Sequence, residues 1–248
     1  MRVGADRVDQ PLVVLGLDLF GHRFLRLGVL VPTPLVLAGC EKTLSTVHPA
    51  GPAAQHIATL WWVMLSGAVA IFVFTMLLLA LAFRKRRDEE RAEQGREGLW
   101  LAGLGLAFPL TVLGALLVYG LVIGERLMPR DHPDRVTVSA EARQWEWRFG
   151  YADRPGHQTT GLLHIPAGQP VDVEITSVDV IHGFWVPRLA GKLDAIPGHV
   201  NILRIEAWEP GDYAGVSGEF SGAGYREHRF TVRAHDAAGW TAFLEGTE

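Results

Sequence analysis

Two long, uninterrupted apolar stretches dominate the first half of the chain. Residues 57–83 and 99–123 hold no charged side chain. Each stretch exceeds the roughly 20 residues that an α-helix needs to cross the hydrocarbon layer of a membrane. Pro109 lies inside the second stretch, where neighbouring groups in a membrane can satisfy the carbonyl that a proline leaves free. The pattern therefore predicts two transmembrane helices, over 57–83 and 99–123.

The segment that joins these stretches, residues 84–98, is strongly basic. Positive charge in a short loop between membrane spans places that loop in the cytoplasm. The sequence therefore predicts a membrane hairpin in a bacterial cell membrane, with the loop inside and both ends of the chain outside. The basic side chains of this loop are Arg84, Lys85, Arg86, Arg87, Arg91 and Arg96.

A shorter apolar stretch precedes the hairpin and ends at Cys40, the single cysteine of the chain. Arg23 and Arg26 lie before it, and small residues precede the cysteine, an arrangement typical of a secretory signal peptide. The ending L-A-G-C resembles a bacterial lipobox, which predicts a lipoprotein signal peptide over 1–39, lipidation of Cys40 and an extracytoplasmic segment over 40–56. The alternative is a buried cysteine after an ordinary hydrophobic segment.

The second half of the chain changes to a period of two. Six segments alternate apolar and polar side chains between turns such as the one at Pro166 and Gly168, as strands do when one face is buried. Six to eight short strands within about 100 residues predict a β-sandwich or barrel. This domain is predicted over 130–248, with a terminal helix over 237–244. The alternating segments are 136–142, 145–149, 162–165, 171–175, 200–207 and 229–233.

Composition narrows the classes of function. The 248 residues are 48% hydrophobic and 20% charged, which favours a membrane part joined to a soluble part. A net charge of −4 argues against a nucleic-acid partner. One cysteine excludes an intrachain disulfide, a zinc site of the C-x-x-C type and an iron–sulfur cluster within the chain.

An ordered set of motifs follows the two apolar stretches. The segment W-x-W is followed by D-V-x-H-x-F-x-V-P around His182, D-A-I-P-G from Asp194, E-P-G-x-Y from Glu209 and G-E-F-x-G-A-G from Gly218. Over residues 54–244 this order resembles subunit II of haem–copper terminal oxidases. The resemblance implies a helical hairpin plus an all-β cupredoxin-like barrel or sandwich. It also implies a non-catalytic subunit, with the haems and the catalytic copper in a partner subunit I.

The loop that carries the binuclear copper in this family differs here. The family pattern in this loop is C-S-E-x-C-G-x-x-H-x-x-M. In this chain its two cysteine positions are Ser217 and Ser221, its histidine position is Tyr225 and its methionine position is His228. Of the family's copper ligands, only the upstream histidine, His182, is present. Soft copper is held by soft sulfur ligands, so we expect the binuclear centre to be lost and no cofactor to be held by this chain.

Loss of these ligands resembles the quinol oxidases of the cytochrome bo type, which receive electrons from membrane quinol and carry an N-terminal lipobox. The sequence therefore predicts subunit II of a proton-pumping quinol oxidase of the aerobic respiratory chain, associated with subunit I and with subunits III and IV. His182, Asp194 and Glu219 resemble the copper-bearing branch instead. Two alternatives follow: a cytochrome c oxidase subunit II with a degenerate copper site, or a free-standing membrane-tethered binding module.

Four further expectations concern single residues. His182 and His228 are expected to be structural, the alternative being a mononuclear metal site completed by Glu219 or Ser217. The resemblance implies that the Glu219 carboxylate reaches a magnesium ion at the interface with subunit I, which suits a hard cation. Relatives carry an acidic residue at the position of Ala102, at the mouth of a proton channel, and Glu97 is the candidate to replace it. Core packing is expected for Trp145 and Trp147.

Overall fold

The computed structural model describes residues 42–84 and 97–247, and in them both apolar stretches are helical. Helix α1 spans Pro52–Arg84. The second span consists of α2, Glu97–Trp100, a π-helical segment, Leu101–Ala107, and α3, Phe108–Arg126. The signal segment, Cys40 and residues 85–96 lie outside the described residues.

These helices turn apolar side chains outward. In the most apolar windows of the two spans, 0% and 6% of the residues are buried, unlike helices in the core of a soluble protein. The helices meet where the rings of Phe74 and Phe108 lie 6.2 Å apart. Pro109 lies where the π-helical segment passes into α3, inside a continuous helix, so it removes one intrahelical hydrogen bond there. Length, composition and exposure are those of a membrane protein.

The second half of the chain forms two five-stranded sheets. Their strand orders are β3-β2-β1-β5-β8 and β4-β10-β9-β6-β7, with parallel pairs β1–β5 and β4–β10 and antiparallel pairs elsewhere. The all-β, cupredoxin-like prediction is confirmed. The strands are β1 Val136–Arg143, β2 Glu146–Tyr151, β3 Gln158–Thr160, β4 Leu162–Pro166, β5 Val171–Ser177, β6 His182–Trp185, β7 Leu193–Ala195, β8 Asn201–Ile205, β9 Gly211–Ser217 and β10 Arg229–His235.

Alternating side chains of the two sheets build one core between them. Val138 of β1 and Val232 of β10 are fully buried, and Trp147 and Phe149 of β2 are at most 1% exposed. Each large apolar side chain buried in this way contributes on the order of 2 kcal/mol. Helix α4, Ala237–Glu245, closes one side of the sandwich.

The start of α1 is attached to the sandwich. The Ala50 N–H donates to the Arg188 carbonyl at 2.7 Å, and the Ala50 carbonyl accepts from the Trp208 N–H at 2.9 Å. A side chain at Gly51 would overlap the Glu206 carbonyl oxygen, so this approach requires glycine. The helix begins at Pro52, before the predicted boundary at 57, because its first turns pack on the sandwich.

Candidate functional site

Two adjacent strands of the second sheet bring the motif residues together. Strand β6 begins at His182 and pairs with β9 through Phe184 and Ser217. After β9 the chain passes through a 3₁₀ turn, Tyr225–Glu227, and returns so that His228 directly precedes β10. The Ser217 N–H donates to the His228 carbonyl at 2.9 Å. The two histidines therefore meet below the loop.

His182 is oriented by a carboxylate that the sequence analysis did not identify. Its Nε2 lies 2.8 Å from Oδ1 of Asp179. The same Oδ1 accepts the Val180 N–H, and Oδ2 accepts the Gln144 N–H. Partial burial alone would raise the pKa of Asp179, but these hydrogen bonds bring it well below its ordinary value. The carboxylate is ionised, so Nε2 of His182 carries the proton. Nδ1 of His182 is buried and has no hydrogen-bond partner among the described residues.

His228 is fully buried beside it. The ring centroids of His182 and His228 are 4.9 Å apart, with planes at 82°, and His228 stacks on Trp147 at 5.4 Å and 18°. Neither ring nitrogen of His228 reaches a partner at hydrogen-bonding geometry within the described residues. Burial lowers the pKa of His228, and the nearby backbone of Glu146 opposes this by a smaller amount. The ring is neutral at pH 7.

Trp145 covers this pair from the outside. Its ring lies 6.3 Å from His182 and 6.1 Å from His228 and packs on Gly224, whose φ of 106° suits glycine. Trp145 remains 36% exposed, whereas Trp147 is fully buried. The expected core packing is therefore found for Trp147, while Trp145 lies at the surface.

The serines at the positions of the family's copper thiolates hydrogen-bond to the backbone. Ser217 Oγ accepts the Gly183 N–H at 3.3 Å, and Ser221 Oγ donates to the Ile181 carbonyl at 2.8 Å. Tyr225 is half-buried, and its ring lies against Phe220 rather than the histidines. Within 42–84 and 97–247, no group of three or more His, Cys, Asp or Glu side chains is placed to hold a metal ion. These residues do not fit a binuclear copper centre.

Glu219 points away from the histidines, to the outside of the loop. Its carboxylate forms an ion pair with Nζ of Lys192, which also lies 3.1 Å from Oδ1 of Asp194. The ammonium group of Lys192 holds the pKa of Glu219 below its usual value. Two carboxylates thus converge on one cationic group, and Lys192 is a second residue that the sequence analysis did not single out.

Two predicted positions lie far from this loop. Glu97 is the first residue of α2 and is exposed, at the end of the second span opposite the sandwich. Cys40 lies outside the described residues. Asp179 could have been found in the sequence, since D-x-x-H places a carboxylate within reach of the histidine when the segment turns.

Comparisons with known proteins identify the family. The family model for the periplasmic domain of cytochrome c oxidase subunit II matches residues 157–234. A quinol oxidase subunit 2 of Bacillus cereus is 30% identical over 223 residues, which cover 85% of this chain and 76% of that protein. The chain belongs to the subunit II family of haem–copper terminal oxidases. A cytochrome c oxidase subunit 2 of Alkalihalophilus pseudofirmus is also 30% identical, covering 90% of this chain and 68% of that protein.

Membership of this family establishes the general role of the chain. The chain is a subunit II of a haem–copper terminal oxidase and associates with other subunits of that complex, so the alternative of a free-standing binding module is set aside. A ubiquinol oxidase subunit 2 of Acetobacter aceti is 29% identical over 90% of this chain and 75% of that protein. Among solved structures, the periplasmic domain of a cytochrome oxidase subunit II of Bradyrhizobium japonicum is similar. The match covers 48% of this chain and 96% of the Bradyrhizobium domain, at 24% identity and with a TM-score of 0.45.

Proposed function

We propose that this subunit II belongs to an oxidase that takes its electrons from membrane quinol and that it holds no binuclear copper. The observation that carries the proposal is the pair Ser217 and Ser221. Their hydroxyl groups hydrogen-bond to backbone at the positions where bridging thiolates would be needed. Hydroxyl groups do not replace thiolates as ligands for soft copper at neutral pH. A subunit without this relay suits a donor that reaches the complex from the membrane.

The decisive experiment is donor selectivity of the purified complex. We expect oxygen uptake with a short-chain quinol and none above background with reduced cytochrome c. The opposite selectivity would reject the quinol proposal and favour a cytochrome c oxidase with a degenerate copper site. That second candidate rests on the relative named cytochrome c oxidase subunit 2, which is as similar as the relatives named quinol oxidase.

Copper addition tests the metal part separately. In the proposal His182 and His228 are structural residues, since the described part of the chain offers no third ligand. The purified full chain should stay colourless when copper is added, because the intense bands of a binuclear centre come from its thiolates. Strong visible absorption with binuclear stoichiometry would contradict this. A weakly coloured site with one copper per chain would instead support the mononuclear alternative at His182 and His228.

The topology is the second part of the proposal. Both spans cross the cell membrane, residues 85–96 lie in the cytoplasm, and the β-sandwich lies on the outer face. The basic loop supports this orientation, as does the length of the spans, Pro52–Phe83 and Glu97–Arg126. Cysteine labelling of intact cells at an introduced loop position and an introduced sandwich position tests it, since only the sandwich position should react with an impermeant reagent.

Lipidation of Cys40 is the third part. The two spans already anchor the chain, so the Cys40→Ala variant should lose the lipid and its processing yet remain in the membrane fraction. Mass spectrometry of the mature N-terminus tests the modification directly. An unmodified N-terminus upstream of Cys40 would exclude it.

The interface magnesium is the fourth part. Glu219 would supply a carboxylate ligand, and its convergence with Asp194 on the ammonium of Lys192 supports a cation-binding position there. The further ligands would come from subunit I. With manganese as the paramagnetic probe in the whole complex, Glu219→Gln should weaken the bound-metal signal, and Lys192→Met should strengthen it by freeing the carboxylates. Signals unchanged in both variants would exclude the site.

The proton entrance at Glu97 is the fifth part. Its support is position, since Glu97 opens the second span at the end away from the sandwich. The Glu97→Gln variant should lower the number of protons pumped per electron while leaving assembly unchanged. Pumping equal to the wild type in reconstituted vesicles would exclude this role.

A further inference from the structure

A second pair of histidines lies in the sandwich, away from the former copper loop. His164 of β4 and His235 at the end of β10 are on neighbouring parallel strands, with Nδ1 of His164 2.8 Å from Nε2 of His235. The ring planes differ by 12°, and the centroids are 5.1 Å apart. Ring faces cannot approach to 2.8 Å, because atoms of stacked rings stay about 3.5 Å apart. The rings therefore lie edge to edge and share a hydrogen bond in their common plane.

This pair forms the platform on which α4 lies. Phe243 of α4 stacks face to face on His164, at 4.3 Å and 8°. Trp240, also of α4, lies 6.4 Å from His235. On the other side of Phe243, the Arg154 guanidinium lies 5.3 Å from its ring and donates to the Phe243 carbonyl at 2.8 Å. Helix α4 thus packs directly on both imidazole rings.

The geometry limits how many protons the closed pair can hold. When both rings are neutral, one contacting nitrogen donates and the other accepts. One added proton gives imidazolium and imidazole, and the hydrogen bond becomes stronger because the donor is charged. A second added proton places hydrogen on both contacting nitrogens and brings two positive charges together. The closed pair accepts one charge, whereas two separated histidines accept two.

Some of the charged groups that face the pair favour a positive charge on it, and others oppose one. Asp212 of β9 lies close enough for both histidines to lower its pKa, after the larger effect of its hydrogen bond to Arg233. Asp212 therefore favours the first charge on the pair. Arg154 beyond Phe243 and Arg233 on β10 oppose a second charge. Other titratable groups around the platform are Tyr151 and His157, which contact Phe243, and Asp236, which caps α4 through the Gly239 N–H.

We propose that the His164–His235 hydrogen bond is a pH-sensitive latch, which holds α4 on the sandwich near neutral pH and releases it when both rings become charged. An unperturbed histidine has a pKa of about 6.5, so release occurs in mildly acidic medium. The open form binds one proton more than the closed form there, and the ratio of closed to open forms falls about tenfold per pH unit. In the topology proposed above, the latch responds to acidification of the outer compartment.

Hydrogen exchange of the full chain in detergent tests the latch. The measured quantity is the protection of amides in α4 between pH 7.5 and 5, corrected for intrinsic exchange. We expect protection of α4 to fall by about tenfold per pH unit below roughly pH 6, and to do so also in a His228→Phe background, where the sandwich as a whole loses part of its own acid sensitivity. A profile for α4 that is flat over this range overturns the proposal without any variant.

Three variants separate the latch from other acid effects. His164→Phe keeps the face-to-face stack on Phe243 and removes the shared proton, so protection of α4 should no longer depend on pH. His235→Gln tests the other ring and should also remove the steep dependence. His157→Phe is the matched control, because His157 also contacts Phe243, at 5.5 Å, and its profile should follow the wild type. An unchanged slope in folded His164→Phe and His235→Gln overturns the proposal.

Discussion

The two histidine pairs of the sandwich differ in how their ring nitrogens are satisfied. His164 and His235 are coplanar and bond to each other at 2.8 Å. His182 and His228 are perpendicular, and three of their four ring nitrogens lack partners within the described residues. A buried polar atom without a partner costs about 1–3 kcal/mol, and protein structures rarely keep such atoms without a reason. The rings of the first pair are hydrogen-bonded to each other, whereas the second pair, next to Ser217 and Ser221, keeps buried nitrogens without a partner among the described residues.

The largest expected effect comes from the carboxylate that orients the second pair. Asp179→Ala removes a charged acceptor from His182 and from two backbone N–H groups. The loss should be roughly 2 kcal/mol, a fall of roughly 4–8 °C in the midpoint of thermal unfolding of the purified chain.

The matched control is Asp212→Ala, which removes a carboxylate near the other pair. Asp212 forms an exposed pair with Arg233, so its loss should cost under about 1 kcal/mol. Equal losses in the two variants would mean that the two pairs do not differ in the way described.

The second prediction concerns acid. Because the pKa of His228 is lowered in the folded chain, the unfolded chain takes up this proton first as pH falls. The contribution of neutral His228 to the free energy of unfolding is fully present above the ordinary histidine pKa of about 6.5. Below that pH the contribution is lost, by up to about 1.4 kcal/mol per pH unit.

His228→Phe keeps the stack on Trp147 and removes the titrating nitrogens. The midpoint of thermal unfolding, measured from pH 7.5 to 5, should therefore depend less steeply on pH in this variant than in the wild type. At pH 7.5 the variant should be at least as stable as the wild type, since two unpaired buried nitrogens are gone. A slope identical to that of the wild type would show that His228 takes up its proton over the same pH range in the folded and in the unfolded chain.

The third prediction compares the two serines. Ser221→Ala breaks the 2.8 Å bond to the Ile181 carbonyl and should cost about 1 kcal/mol. Ser217→Ala removes a longer acceptor contact, 3.3 Å from the Gly183 nitrogen, and should cost less. The order is checked by thermal unfolding at pH 7.5, and a reversed order would mean that the Ser217 contact fixes the loop.

The smallest effect is expected at Glu219. Glu219→Gln removes an exposed ion pair with Lys192 and should leave the midpoint of thermal unfolding almost unchanged. A large loss in the isolated chain would make Glu219 a structural residue of the loop and count against a role at the interface with other subunits.

Pattern alone predicted much of the fold, and its omissions have a physical cause. The six alternating segments correspond to β1, β2, β4, β5, β8 and β10, since their inward positions are apolar. Strand β9 was not identified because its buried positions are Tyr213, Gly215 and Ser217, which hide the period of two. Strand β6 carries the histidine motif and is only four residues long.

The sequence by itself determined the two long apolar helices, the all-β domain, the family and the serines at the positions of the family's copper thiolates, because periodicity and residue identity are local properties. The tertiary structure decided which side chains meet: Asp179 with His182, Lys192 with Glu219, and His164 with His235. Lys192 and Glu219 are 27 residues apart in the chain and His164 and His235 are 71 apart, so no short window of sequence contains these contacts, whereas Asp179 reaches His182 through a local turn. Burial then decided their chemistry, since it lowers the pKa of His228 and makes each unpaired nitrogen costly.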